Sequence, residues 1–411
     1  MGVQGEQNEA VHLGGTCFVI SHKQFYFKDG KYCSEGGFNK YMEVLAEIFD
    51  RIILAVPVDH EPPSGCGAPI KEGIVEFVEM PTDRHRYPNL WLLHPVGIAW
   101  PIARAIRQAD LVHVMLPGYV QLLALLLTQL LGKPRFCLLT GDWEYEFAVS
   151  RKAKSHPMLI HLVRLVHRAI VRYILRSGLV LPTGDTLARR YRRYGPNVVP
   201  NYPSTFSESQ IRTPENLGPL HQPWRILFVG RLDYKKGVQF LIKAMAELRD
   251  SGQIAAMTIV GTGPYEAEFR DLARKLNLLD DVRFLGHVSM GRDLWQVYRE
   301  HDVFVLPSLH EAMGKVILEA YANGLPVVAS RVGGIPDIVS EDNGILVPPE
   351  DSSALAAAIR RILTDDAYRQ RLVYNNLQFA RERTMEAQAR RLSKHVRRSM
   401  PTLYGAQRAA R

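Results

Sequence analysis

Apolar runs of four to eight residues recur along the whole chain, and each is followed by a segment of helix length. A run this short and continuously apolar suits a strand buried on both faces, and parallel pairing of two such strands needs a crossover long enough to hold a helix. In the first half the expected strands are CFVI (17–20), RIILAVPV (51–58), IVEFVEM (74–80), LVHVML (111–116), RFCLLT (135–140), GLVLPT (178–183) and NVVP (197–200). In the second half they are RILFVG (225–230), AMTIVG (256–261), VRFLG (282–286), VFVLP (303–307), PVVAS (326–330) and GILVP (344–348). Each half reads as one doubly wound α/β unit, a parallel sheet with helices on both faces.

Between the halves, SESQIRTPENLGPLHQP (207–223) is polar, rich in Pro and Gly, and lacks apolar periodicity. It is the expected linker between a first domain at 1–206 and a second at 224–375, with a helical segment at 376–411. A length of 411 residues fits two domains, since one domain takes ~100–200 residues.

Hydrophobic residues at 46% and charged residues at 23% argue against a disordered, collagenous or membrane-embedded chain. The uncharged stretch from Leu111 to Gly132 has the length of a bilayer span, but Pro117 and Gly118 split it into a strand-like and a helix-like run. With the strand-like run after Pro134, it reads as a buried strand–helix–strand unit. The opening residues, MGVQGEQNEA, carry acids and lack a basic start and an apolar run, so no signal peptide is expected. Cys17, Cys33, Cys66 and Cys137 lie far apart, with no C-x-x-C pair and no zinc-finger spacing, which points to a reducing cytoplasm.

The net charge of +9 is uneven: residues 151–200 carry +10, residues 351–411 carry +8, and the rest sum to −9. A basic partner surface is therefore expected in two segments only, and no nucleic acid partner is expected. In HLVRLVHRAIVRYILR (161–176), Arg164, Arg168, Arg172 and Arg176 recur every four residues and form one slowly drifting stripe on an apolar helix. Two readings stay open: the solvated face of a core helix, or a surface that either rests on an anionic membrane, where each Lys or Arg contributes about 1 kcal/mol, or holds a lipid-linked diphosphate acceptor.

Four loops after expected strands are rich in glycine: SEGG (34–37), GRLDYKKG (230–237), GTGP (261–264) and GGIP (333–336). In open α/β sheets ligands sit beyond the carboxyl ends of the strands, so these loops should carry the chemistry. GRLDYKKG places Arg231, Lys235 and Lys236 before Gly237 and a helix, which suits a phosphate and equally suits an ordinary basic turn. Glu311 and Glu319 bracket Gly314 and a helix start. Carboxylates there could clamp vicinal sugar hydroxyls while N–H groups near Gly314 to Ile317 face a diphosphate; alternatively Glu319 is an exposed helix residue and Glu311 a helix-start charge. No G-x-x-x-x-G-K-[ST] occurs, and GTGPYE lacks the third glycine of a dinucleotide fingerprint. No D-x-D occurs either, and His310 reads as a packing or sugar-contacting residue, so no metal site is expected.

The string PSLHEAMGKVILEAYANGLPVVAS (307–330) resembles the E-x7-E region of retaining nucleotide-sugar glycosyltransferases of family 4. GRLDYKKG resembles that family's G-R-L-x-x-x-K-G phosphate site, and TIVGTGP and VRFLGHVS resemble its intervening strand ends, four motifs in order across 225–349. The first half is similar only in its glycine loop (Gly36, Gly37), its strand rhythm and VVPN (198–201). The resemblance implies a GT-B fold, in which two Rossmann-like domains face a cleft, the first binds the acceptor, the second binds the donor, and the last helices return to the first domain. It implies that Arg231 and Lys236 hold the diphosphate of a nucleoside diphosphate sugar, Glu311 the transferred sugar and Glu319 the ribose. Gly230, Gly263, Gly314, Lys315 and Val316 would line the donor, with no cofactor.

Two departures stand out. Ala312 and Met313 replace the family's usual Gly-Phe, and Asp142, in LLTGDWEYE, stands where the family often has a catalytic or sugar-contacting His. Asp142 reads equally as a helix cap. The expected activity is retaining, metal-independent hexosyl transfer from a UDP- or GDP-sugar to a glycan or lipid-linked acceptor, as in polysaccharide biosynthesis. The alternatives are a nucleotide-sugar epimerase of the same fold and a non-catalytic protein that binds polyanions or membrane surfaces.

Overall fold

A computed structural model describes residues 11–34, 37–60, 70, 73, 75–80, 95–116, 118–141, 165, 169, 172–173, 178–193, 195–214, 219–253 and 255–404. The chain divides into two compact units, one formed by Met1–Tyr202 with Glu386–Arg411 and the other by Pro203–Met385.

The first unit is built on eight strands: β1 (Thr16–Ile20), β2 (Phe25–Lys28), β3 (Lys31–Ser34), β4 (Arg51–Asp59), β5 (Val75–Met80), β6 (Leu111–Leu116), β7 (Arg135–Leu139) and β8 (Leu179–Pro182). Its parallel part runs β5-β4-β1-β6-β7-β8. The near-continuous apolar runs explain why: β6 and β7 are buried at every position, which only a sheet covered on both faces allows. Among the covering helices are α1 (Phe38–Ala46), α2 (Pro95–Gln108), α3 (Tyr119–Leu130) and α4 (Asp185–Arg192). The stretch that has the length of a bilayer span is the β6–α3–β7 crossover, and among the described residues no helix is long and apolar enough to cross a membrane.

Two features depart from the expected strands. β2 and β3 form an antiparallel hairpin, joined to the sheet where Phe25 and Tyr26 pair with Val58 and Asp59. NVVP forms no strand: only isolated bridges link Val198 to Val180 and Asn201 to Thr183. Pro196 and Pro200 have no N–H to give to a ladder. Cys17 and Cys137 are free and buried, whereas Cys33 is disulfide-bonded, a pairing that the cysteine spacing did not suggest.

The second unit holds β9 (Trp224–Val229), β10 (Ala255–Val260), β11 (Val282–Gly286), β12 (Val303–Leu306), β13 (Val327–Ser330) and β14 (Gly344–Val347), all parallel, in the order β11-β10-β9-β12-β13-β14. Its helices are α5 (Val238–Asp250), α6 (Glu266–Lys275), α7 (Arg292–Arg299), α8 (Lys315–Ala322), α9 (Ser352–Thr364) and α10 (Asp366–Arg381). α11 (Met385–Ser399) and α12 (Pro401–Tyr404) follow. Strand order reverses between β9 and β12, the dinucleotide-fold arrangement in which a crevice opens at the carboxyl ends of those two strands.

The unit boundaries differ from the composition-based ones. The chain passes from one unit to the other between Tyr202 and Pro203, so the polar segment 207–223 lies inside the second unit. α10 also belongs wholly to the second unit, and the segment grouped with the first begins at Glu386 instead of residue 376.

Candidate active site

The reversal point brings two turns together. After β9 the chain makes a tight turn through Gly230 and Arg231, one 3-10 turn at Tyr234–Lys236, and Gly237, which starts α5. Asp233 caps the 3-10 turn by accepting from Lys235 N at 3.1 Å. Gly237 has φ +71°, and a Cβ there would lie 1.8 Å from the carbonyl oxygen of Pro307, at the end of β12. Leu309 N donates to Lys235 O at 2.7 Å, so the turns after β9 and β12 are locked backbone to backbone.

That contact sets the chemistry. Lys236 Nζ meets Glu311 Oε2 at 2.5 Å, with side chains 27% and 15% exposed. Ser308 Oγ, fully buried, lies 3.5 Å from the same oxygen. The carbonyl of Glu311 is held from the other side, where Gly334 N donates to it at 3.2 Å, and a Cβ at Gly333, φ +53°, would fall 1.8 Å from it. Gly314, at φ +77°, begins α8, and its carbonyl accepts from Ile317 N. Arg231 is exposed and makes no ion pair among the described residues. Fixed cations and the first N–H groups of α8 thus sit on one edge of the sheet, an arrangement that stabilises bound anionic groups. On the neighbouring strand ends, Gly230 N donates to Val260 O at 3.0 Å, and Gly263 O accepts from Glu266 N at 3.3 Å.

Glu319 differs from both readings of its spacing. It is 3% exposed, so it is not an exposed helix residue. Both its oxygens are engaged within the fold, by Thr205 Oγ1 at 2.8 Å and Tyr298 OH at 2.9 Å, and neither is presented as an open clamp. Burial pushes its carboxyl up, opposed by the two hydroxyl donors and the charge of Lys315. Burial also drives the Tyr298 hydroxyl well above its usual range, so it keeps its proton and donates. Nothing in the sequence marks Tyr298 or Thr205, which come from α7 and from the segment just past the unit boundary. Lys315 is exposed and Val316 half-buried at the start of α8, beside Met313, which is 2% exposed and forms part of the core.

In the first unit, Gly37 precedes α1, and Ser34 Oγ donates to Asn39 Oδ1 at 2.7 Å inside the protein. Gly36, Asp142, Arg164, Arg168 and Arg176 lie outside the described residues. Arg172 is exposed on a helical segment.

Residues 210–379 match the family Glycosyl transferases group 1. An uncharacterized glycosyltransferase, MJ1607 of Methanocaldococcus jannaschii, is 38% identical over 169 residues, covering 41% of this chain and 43% of that protein. Sulfoquinovosyl transferase SQD2 of Arabidopsis thaliana is 28% identical over 340 residues, covering 80% of this chain and 63% of that protein. The chain therefore spans between about two fifths and two thirds of the length of these curated relatives. Among solved structures, Anabaena Alr3699/HepE in complex with UDP-glucose superposes with a TM-score of 0.68 at 18% identity, covering 92% of this chain and 98% of that one. The chain has the two-domain α/β GT-B fold, and the group 1 glycosyl transferase pattern lies in its second unit.

Proposed function

We propose that the protein is a glycosyltransferase that moves a hexosyl group from a nucleoside diphosphate sugar to a glycan or lipid-linked acceptor, with retention of configuration and without a metal ion. The observation that carries this reading is the Lys236–Glu311 pair at the reversal point, beside the start of α8. As the bond to the anomeric carbon breaks, negative charge grows on the leaving diphosphate and positive charge on the sugar. Arg231, Lys236 and the N–H groups of Lys315 and Val316 stabilise the first, and the Glu311 carboxylate faces the second. Each such preorganised donor contributes about 3 to 4 kcal/mol to the transition state. Without substrate, Lys236 and Glu311 neutralise one another; with substrate, Lys236 passes to the phosphate and frees Glu311 for a sugar hydroxyl. The relation to HepE, solved with UDP-glucose, supports a uridine donor.

Incubation with labelled UDP- and GDP-sugars, with and without EDTA, tests this reading. Transfer to a glycan or lipid-linked acceptor, with EDTA tolerated and the donor's anomeric configuration kept in the product, is expected. Isomerised donor without transfer would mark an epimerase, and no reaction with any donor a binding protein; either outcome overturns the proposal.

A further inference from the structure

Among the described residues of the second unit, the exposed large apolar side chains are Tyr234, Tyr265, Leu279 and Tyr374, and the first two of them meet. Tyr234 and Tyr265 are 48% and 37% exposed, with ring centroids 5.9 Å apart and planes inclined at 52°. Tyr234 belongs to the 3-10 turn after β9, and Tyr265 directly precedes α6 in the turn after β10. An aromatic pair at the surface offers flat apolar faces that gain from being covered.

The backbone fixes where these rings stand. Leu232, fully buried, donates from N to Thr262 O at 2.9 Å and accepts at O from Tyr265 N at 3.1 Å. A Cβ at Gly261 would fall 1.9 Å from Gly230 O, and one at Gly263 would fall 2.2 Å from Leu232 O, so glycine lets the turns after β9 and β10 close on each other. The Tyr265 ring also leans on the buried Phe269, at 6.2 Å between centroids. A site preorganised in this way loses little freedom when a ligand binds.

Strand order indicates the ligand. Along the carboxyl edge, β10, β9, β12 and β13 are successive neighbours. Glu311 and the Gly333–Gly334 turn lie on the β12 and β13 side, Arg231 and Lys236 follow β9, and the two tyrosines come next, on the β9 and β10 side. A nucleoside diphosphate sugar is likewise a row of three parts: sugar, diphosphate and nucleoside. With its sugar at Glu311 and its phosphates at Lys236 and Arg231, its nucleoside runs towards Tyr234 and Tyr265. Tyr234 follows Arg231 by three residues, at most about 11 Å of chain, which is within reach of a base whose own diphosphate Arg231 holds. Glu319, which the family resemblance implies for the ribose, has both oxygens engaged inside the fold, so the nucleoside meets no open carboxylate there.

We propose that Tyr234 and Tyr265 form the platform against which the donor's base stacks, an inference that rests on the nucleotide-sugar reading of the site. Neither position is among those to which the family resemblance gives a role. Stacking on an aromatic face tolerates any base, so the pair would position the nucleoside and leave the choice between uracil and guanine to hydrogen bonds elsewhere.

Calorimetric titration of the full chain with UDP, GDP and inorganic pyrophosphate tests the proposal. Tyr234→Ala and Tyr265→Ala should each weaken the nucleoside diphosphate at least about fivefold, the effect of losing one stacking ring, and leave pyrophosphate affinity unchanged. Tyr234→Phe and Tyr265→Phe keep the rings and should bind like the wild type, whereas Arg231→Ala should weaken nucleotide and pyrophosphate alike. A circular dichroism melt checks that the alanine variants fold. Nucleotide affinity kept in both alanine variants but lost in Arg231→Ala would leave the nucleotide site in place and overturn the platform. Equal loss of nucleotide and pyrophosphate affinity in the alanine variants would show that the tyrosines only shape the phosphate turn, and would overturn it as well. No binding of UDP or GDP by the wild type would overturn the nucleotide-sugar reading itself, and the platform with it.

Discussion

Lys236 and Glu311 stand 75 residues apart in the chain and meet because each lies in the turn that follows a strand at the same reversal point. Their pairing changes what removal of either should do. Arg231→Ala deletes an exposed cation with no ion pair among the described residues, so turnover should fall by orders of magnitude while the melting temperature stays nearly constant. Lys236→Ala should behave differently. With Glu311 only 15% exposed, losing its cation should instead lower stability by about 1 to 2 kcal/mol along with turnover, less than for a fully buried pair. Steady-state kinetics and urea melts of both variants distinguish the cases; equal stability of the two would show that the ion pair contributes nothing. Glu319 makes a different prediction. Its folded carboxyl holds its proton above the usual 4.5, so its contribution to stability is full below that value and is lost as pH rises through the folded value. Glu319→Gln has no such loss. Its melting temperature relative to the wild type should therefore climb as pH rises from 4.5 towards neutrality, and a gap that stays flat or moves the other way would refute the assignment. The family resemblance singled out Arg231, Lys236, Glu311 and Glu319, whereas spacing alone left Glu319 equally an exposed helix residue, and its burial was not legible. Its partners, Thr205 and Tyr298, come from distant segments with no local signature.

At the scale of elements, the parallel strands were legible nearly to the residue, because burial on both faces writes an unbroken apolar run. The hairpin was overlooked despite carrying a signal: Asp29-Gly30 separates FYFK from KYCS, and both residues take positive φ, 52° and 78°, as a two-residue hairpin turn requires. The turns of the candidate site depend on glycine in the same physical sense. At Gly237 a side chain would meet both a left-handed backbone and the Pro307 carbonyl, a backbone atom that cannot rotate away. Gly237→Ala should therefore separate the turns after β9 and β12, draw Lys236 from Glu311, and cost more than about 1 kcal/mol of stability. Turnover should fall with it, even though Gly237 has no side chain to offer a substrate. Normal turnover in a stable Gly237→Ala protein would mean that the turn is free to relax.

For the whole molecule, composition located two units but misplaced the joint. The described residues of that segment, 207–214 and 219–223, are mostly half-buried or exposed on the second unit, with Arg212 N bonded to Ala322 O, which is why the segment is polar. The boundary lies earlier, where Ser204, Thr205 and Phe206 are 3%, 4% and 0% exposed within the second unit, and Phe206 O accepts from Met385 N at 2.9 Å. The two ends of that unit are thus tied to each other by its own hydrogen bond. It also has a complete parallel sheet, its own buried strands β9, β12 and β13, and every residue proposed to hold the donor. A fragment spanning Pro203–Met385 should therefore fold by itself, melt cooperatively by circular dichroism, and bind UDP with an affinity within about tenfold of the full chain. It should transfer no sugar if, as the family resemblance implies, the other unit binds the acceptor. A fragment cut at the polar linker, starting at residue 224, loses Thr205 and with it one donor to the buried Glu319 carboxylate, which should leave it less stable than the longer one. Failure of the 203–385 fragment to fold, or equal stability of the two fragments, would show that the joint does not lie at Tyr202–Pro203.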